Sequence, residues 1–449
     1  MAESRFSILS EEFAAAPERY FGQLREHAPV HHEPALDAWF LSRHRDVRRV
    51  LTDHEAFSTA TLRVRAEPVM GGPVLAQMTG AEHTAKRGIV VRAFTGPALR
   101  EQVRTLRANA VELLGPLLAR GRMDLVNDFG KPFAVRAALD VLGLDREDWR
   151  RVAERIAGVG EFVTAVTLSE ERRRVCLELA GELEAQLARI VEQRRRHPGA
   201  DLISTLCTTE FDGVAMSTRE VVALIVNVLV AAVEPADKTL GLLLKHLIDH
   251  PEQLADVRRD PSLLSAALAE TLRFTPPVQL VPRQAERDTE FAGTLVPAGA
   301  TVFCLIGAAN RDPEAFTDPD RFDLHRPDLA AARSFTAAAQ HLAFGTGLHQ
   351  CVGAAFARAE IETVAALLLP LLDEVRLTPG SGYREAGLYT RGPVALSLDF
   401  TPAHLPTAPP HVPTPTGPPH LPTPAAPPYV PASTAPPHLP PPTALAQHH

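Results

Sequence analysis

Cys351 has the surroundings most suited to chemistry. It closes the stretch Phe344-Gly345-Thr346-Gly347-Leu348-His349-Gln350-Cys351-Val352-Gly353, directly before an Ala- and Leu-rich run to Leu369 that reads as a helix. Unpaired N–H groups at a helix start, and the positive end of its dipole, favour a thiolate. Such a sulfur can bind a metal or attack a substrate; taken alone, a cysteine is more often a small buried hydrophobe. Gly345, Gly347 and Gly353 let the chain turn tightly and let a flat, bulky group approach the backbone. Phe344 is placed to cover one side of the sulfur. His83 and Arg87, four residues apart, share a helix face and can both donate to one anion. Glu270 and Arg273, three apart, can form an ion pair on another helix.

These side chains need rigid carriers. Ser217 followed by Glu220 is a capping-box pattern opening an apolar run, Val221 to Ala232, that continues through Glu234-Pro235 to His250. A helix this long and apolar nearly all round must cross the centre of the fold, where polar groups have to be satisfied or used. Residues 96 to 197 carry further helical periodicity. Ala38 to Ser42 reads as a strand that must pair with something distant, followed by a helix from His44 to Leu51. Residues 60 to 78, with Gly71-Gly72-Pro73, read as a loop over a site or over the surface. Pro276 to Arg283 is an extended, proline-bounded segment, Phe291 to Cys304 has hairpin turn chemistry, and Tyr383 to Phe400 ends in an alternating strand.

The 449 residues are 45% hydrophobic with a net charge of −8. This allows a large core and argues against a general nucleic-acid binder, since no basic excess is available for phosphates. The four cysteines are scattered without a CxxC pair, so neither a disulfide framework nor a structural zinc site is indicated. No 18-residue apolar run and no signal-peptide pattern are present, which predicts a soluble, cytoplasmic protein with no membrane attachment.

Phe344-Gly345-x-Gly347-x-His349-x-Cys351-x-Gly353 resembles the haem-binding loop of the cytochrome P450 family. His83-x-x-x-Arg87 before Ala93-Phe94-Thr95, Glu270-x-x-Arg273 and Arg283 follow in the family's order, over residues 10 to 400 or so. The resemblance implies a mainly α fold with small β-sheets, a triangular helical prism around a buried haem, as one domain over 1–400. It implies haem b (iron protoporphyrin IX), with Cys351 as the axial iron ligand and Phe344, Gly345, His349 and Gly353 around it. His83, Arg87 and Arg283 are implied to hold the propionates. Glu270 and Arg273 are implied to form a structural network closed by Arg321 or Arg326. Val278, Leu280, Val281, Leu388 and Tyr389 are implied to line the substrate pocket. Electrons would come from a ferredoxin and its reductase, to activate O2 on a small molecule.

The resemblance fails at one place. Where the family's central helix carries an acid followed by an alcohol, this chain has Ala231-Ala232-Val233-Glu234-Pro235. Proline supplies no hydroxyl and removes a helical hydrogen bond. Either protons arrive through water near Glu234, or the substrate supplies the missing group. Four further stretches, beginning at Glu234, Pro277, Ile306 and Gly387, resemble bacterial P450 proteins that oxidise cyclo-dileucine, a diketopiperazine, to an aromatic di-N-oxide. Hydroxylation of another natural product, a peroxide-driven enzyme, a haem sensor without turnover and a non-haem protein with a structural Cys351 are the alternatives. From Thr401 a Pro- and His-rich segment repeats every nine residues (Pro409, Pro418, Pro427, Pro436) and is expected to be a disordered tail sampling polyproline II.

Overall fold

A computed structural model describes residues 7–211 and 213–404. Most of the Pro/His-rich segment lies outside the described residues. Its first residues pack on the body, Thr401 N–H donating to Asp373 and Ala403 N–H to Leu118.

The run after Ser217 forms one 32-residue helix, Thr218–Asp249. Its start is fixed twice: Ser217 Oγ accepts from Glu220 N–H, and the Glu220 carboxylate accepts from Ser217 N–H. Leu224, Leu229, Leu240 and Leu243 are completely or almost completely buried on different sides of it, as expected of a helix surrounded by protein. Helices Gly80–Ala93, Gly96–Leu118, Lys131–Leu142, Trp149–Thr164, Glu170–Arg196, Leu264–Phe274 and Ala354–Leu368 complete the helical body. Among the described residues no helix is long and apolar enough to cross a membrane.

Five strands form the largest sheet: β1 (Val30–Glu33), β2 (Ala38–Leu41), β3 (Phe57–Ser58), β4 (Leu280–Ala285) and β5 (Thr301–Leu305), in the order β1-β2-β5-β4-β3. The distant partner of β2 is β5, parallel to it, with Trp39 opposite Val302. All other pairings in the sheet are antiparallel.

Residues 60–78 depart from the expected loop. Two short helices, Leu62–Arg65 and Glu67–Met70, form there, the second with Pro68 in its first turn and Gly71 at φ +75° ending it. Four residues are too few to show a helical period.

Glu270 and Arg273 are completely buried and joined by two bonds of 2.7 Å. Arg326 closes the network, its Nε lying 3.3 Å from both Glu270 oxygens. Arg321 contributes only its carbonyl, which accepts from Arg273 and Arg326; its side chain is exposed. Buried Asn310 accepts from Arg273 through its carbonyl and from Leu342 N–H through its side chain, tying the network to the chain entering the cysteine loop.

Candidate functional site

The cysteine loop turns on two glycines in the left-handed region, Gly345 at φ +66° and Gly347 at φ +75°. At Gly347 a Cβ would stand 2.8 Å from the Leu51 carbonyl oxygen, so space as well as conformation requires glycine. At Gly345 a Cβ would meet nothing within 4 Å, leaving that side of the loop open. Cys351 N–H donates to the Phe344 carbonyl at 2.9 Å, and Gly353 caps helix Ala354–Leu368.

Cys351 can be reached by solvent, yet burial pushes its thiol up, outweighing the Gly353 N–H and Arg87, which act the other way. The sulfur therefore faces an interior space rather than the outer surface. The thiolate expected from the helix start is not favoured by the polypeptide alone; a bound metal ion would reverse the balance.

The anion-binding residues gather around this loop. His83 and His349 meet edge to face, centroids 5.2 Å apart, and the Nδ1 atom of each is buried without a partner. Arg87 donates to the Gln350 carbonyl at 2.7 Å, and Arg283 to the Pro282 carbonyl at 2.8 Å. Burial lowers the pKa of all four; His349 is driven to about 4, with Arg283, His83, Arg87 and His54 adding to the effect. Among the described residues no carboxylate pairs with any of them. Buried cations without counter-ions are costly. The donors and the open loop fit a flat, anionic, metal-bearing group, such as haem with its two propionates.

On the central helix, Ala231 is exposed and Ala232, Glu234 and Pro235 are partly exposed, although Leu229, Val230 and Val233 beside them are buried. Pro235 has no N–H, so the Ala231 carbonyl loses its helical donor. Thr239 Oγ1 does not relieve it, donating instead to the Pro235 carbonyl at 2.6 Å. Glu234 Oε1 accepts from Lys238 Nζ at 2.6 Å and from Thr390 Oγ1 at 2.5 Å, which ties the helix to the C-terminal turn. Its Oε2 lies against Gly160, 3.4 Å from where a Cβ would sit.

That turn reaches the segment just ahead of β4 through a bridge between Val278 and Thr390, and Gln279 N–H donates to the Tyr389 carbonyl at 2.8 Å. Val278, Val281, Leu388 and Tyr389 are partly exposed. Leu280 departs from the pocket-lining expectation: it is fully buried in the cluster of Phe13, Phe21 and Phe303. Strand alternation turns Leu280 to the opposite face from Val281 and Arg283, so it supports the wall without lining it.

Several buried polar groups were not singled out from the sequence. Lys86 is 4% exposed between Glu82 (2.6 Å) and Glu220 (2.8 Å), and its bond helps drive Glu220 down to about 2. It locks the helix of His83 and Arg87 to the cap of the central helix. Its place beside them was a signal, but Glu220 is 134 residues away. Asp237 and Glu360 are buried carboxyls, each with one oxygen lacking a partner. Burial pushes Asp237 up to about 6, and burial followed by the charge of Asp237 raises Glu360 well above the carboxylate range.

Comparison with known proteins adds four likenesses. The Cytochrome P450 family model matches residues 164–373. The chain is 52% identical over 395 residues to pulcherriminic acid synthase of Bacillus subtilis (strain 168), spanning 88% of this chain and 98% of that protein. It is 33% identical over 378 residues to nocardicin C N-oxygenase of Nocardia uniformis subsp. tsuyamanensis, spanning 81% and 89% respectively. Among solved structures, that of CalO2 matches with a TM-score of 0.78 at 30% identity, covering 88% of this chain and 99% of that one.

Proposed function

The chain belongs to the cytochrome P450 family, and from that footing we propose that this monooxygenase of bacterial secondary metabolism oxidises a diketopiperazine, with cyclo-dileucine its foremost substrate. The family binds haem iron, and its bacterial members act on small molecules with electrons from redox partners. Here the group is haem b. Cys351 ligates the iron, and His83, Arg87, Arg283 and His349 take the propionates that their unpaired donors lack. When bound, the thiolate-ligated haem supplies dioxygen activation. A ferredoxin with its reductase supplies the electrons.

The observation that carries the substrate reading is the missing alcohol on the central helix. Pro235 offers no hydroxyl, but it frees the Ala231 carbonyl as an acceptor beside Glu234. A diketopiperazine brings amide N–H donors to such acceptors. Glu234 is held by Lys238 and Thr390, so moving a proton through Oε1 requires one of those bonds to yield. The chain orients the ring and accepts from its N–H groups, while the substrate supplies polar hydrogens that a helix alcohol would otherwise provide. The likeness to pulcherriminic acid synthase and to an N-oxygenase supports oxidation at nitrogen.

The test combines spectroscopy with turnover. The reduced protein with carbon monoxide should give the thiolate-haem band, cyclo-dileucine should shift the ferric spin state, and a ferredoxin system should yield an N-oxidised product. No thiolate-haem band would remove the haem assignment. A normal band with neither a spin shift nor a product from cyclo-dileucine would remove the substrate, and equal turnover with peroxide alone would remove the ferredoxin.

A further inference from the structure

Arg65 is a cation without a counter-ion, packed against Tyr389 of the C-terminal turn. It ends the short helix Leu62–Arg65, is half-buried, and pairs with no carboxylate among the described residues. Its guanidinium is nevertheless firmly placed. Nε and Nη2 donate to the Val163 carbonyl at 3.3 and 3.0 Å, and Nη2 also donates to the Ala165 carbonyl at 3.1 Å, at the end of helix Trp149–Thr164. Its Cζ lies 5.5 Å from the Tyr389 ring centroid and 5.9 Å from that of Phe303. Nη1 makes no hydrogen bond to the described residues.

Tyr389 is held by its backbone, while its hydroxyl makes no hydrogen bond to the described residues. The Tyr389 ring packs against Arg65, and the same turn is tied to the central helix through Thr390 and Glu234. Burial raises the pKa of the phenol, so it remains a neutral donor. Arg65 Nη1 and the Tyr389 hydroxyl are thus two donors in one region, one charged and one neutral, without an acceptor among the described residues.

We propose that Arg65 and Tyr389 read a carbonyl oxygen of the substrate, and so select a ring amide over a hydrocarbon ring of the same shape. The inference rests on the diketopiperazine reading and adds its polarity. The ring N–H groups turn to the acceptors on the central helix, and a ring carbonyl turns to the Arg65–Tyr389 pair. A charge-assisted bond in a sheltered site strengthens as negative charge gathers on that oxygen. Oxidation of the ring to an acidic N-hydroxy product would put more charge there.

The test uses the haem-loaded full chain and three ligands followed by spin-state or Soret titration: cyclo-dileucine, the neutral hydrocarbon ring of the same shape 1,4-diisobutylcyclohexane, and imidazole. Arg65→Met and Tyr389→Phe should weaken cyclo-dileucine about 10- to 100-fold, the loss expected when a hydrogen bond to a charged or sheltered group is removed. The cyclohexane, imidazole and the carbon monoxide band should be unchanged. Unaltered affinity for cyclo-dileucine in both variants would overturn the proposal, as would equal weakening of all three ligands. If the parent protein itself gives no shift with cyclo-dileucine, the substrate reading has failed. A panel of other cyclic dipeptides against their cyclohexane counterparts then decides the inference. A preference for the carbonyl compound that Arg65→Met abolishes supports it, and no such preference overturns it.

Discussion

The two sides of the site were built under different constraints. On the cysteine side, Gly345 and Gly347 adopt left-handed turns, and His83, His349, Arg87 and Arg283 pair with no carboxylate among the described residues. A rigid, anionic cofactor such as the proposed haem would demand that geometry, and the motif spacings there match the family pattern. On the central helix, the segment around Glu234 and Pro235 breaks the pattern, and its acid is bonded to Lys238 and the C-terminal turn. On the proposed reading, the residues that would grip the haem keep the family pattern, whereas the central-helix segment that would face the substrate departs from it.

Changes on the cysteine side should have the largest effects. Glu270→Ala leaves Arg273 and Arg326 as buried cations with no carboxylate between them. Stability should fall by about 3–5 kcal/mol, read as an earlier denaturant midpoint; a shift below about 1 kcal/mol would show that the network is not what holds the cysteine loop's support.

Asp237 tests the central helix through pH. Its folded pKa, about 6, lies above its ordinary value of 3.8, so the folded state holds the proton more tightly than the unfolded chain. Its favourable share of stability is fully present below about pH 4 and is lost as pH rises to about 6. At about 1.4 kcal/mol per pH unit, that gap amounts to about 3 kcal/mol. Asp237→Asn should therefore match the parent near pH 4 and gain on it by up to that amount above pH 6, measured as the difference between denaturant midpoints. An equal offset at both pH values would contradict this.

Arg283→Ala removes one donor from the anion-binding set. Haem transfer to apomyoglobin should quicken about 10- to 100-fold, the equivalent of one charged hydrogen bond. Leu280→Ala, on the opposite face of β4, should lower stability while leaving that rate within about twofold. If Leu280→Ala released haem as fast as Arg283→Ala, the two faces would not divide the work as described.

What the sequence disclosed follows from how local each constraint is. The cysteine loop and His83-x-x-x-Arg87 are readable because one turn or one helix face fixes their spacing. The long helix is readable from its capping box and its apolar run. Arg65, Lys86, Asp237 and Glu360 were not readable as a set, because each acquires its meaning from a partner, or from the lack of one, that tertiary packing alone decides. The choice between Arg321 and Arg326 had the same origin: both are arginines at suitable spacing, and only the fold turns one side chain inward. Leu280 could have been placed by alternation, had the start of β4 been known.

The claim that the central helix has been rebuilt around its substrate is tested most directly at Pro235. The measurement is N-oxidised product formed per pair of electrons consumed, with cyclo-dileucine and a ferredoxin system, in the parent protein and in Pro235→Thr. The parent should already be well coupled, and the restored alcohol should bring no more than about a twofold change, below the 0.5 kcal/mol or so of a weak hydrogen bond. A poorly coupled parent that Pro235→Thr makes efficient would contradict the account.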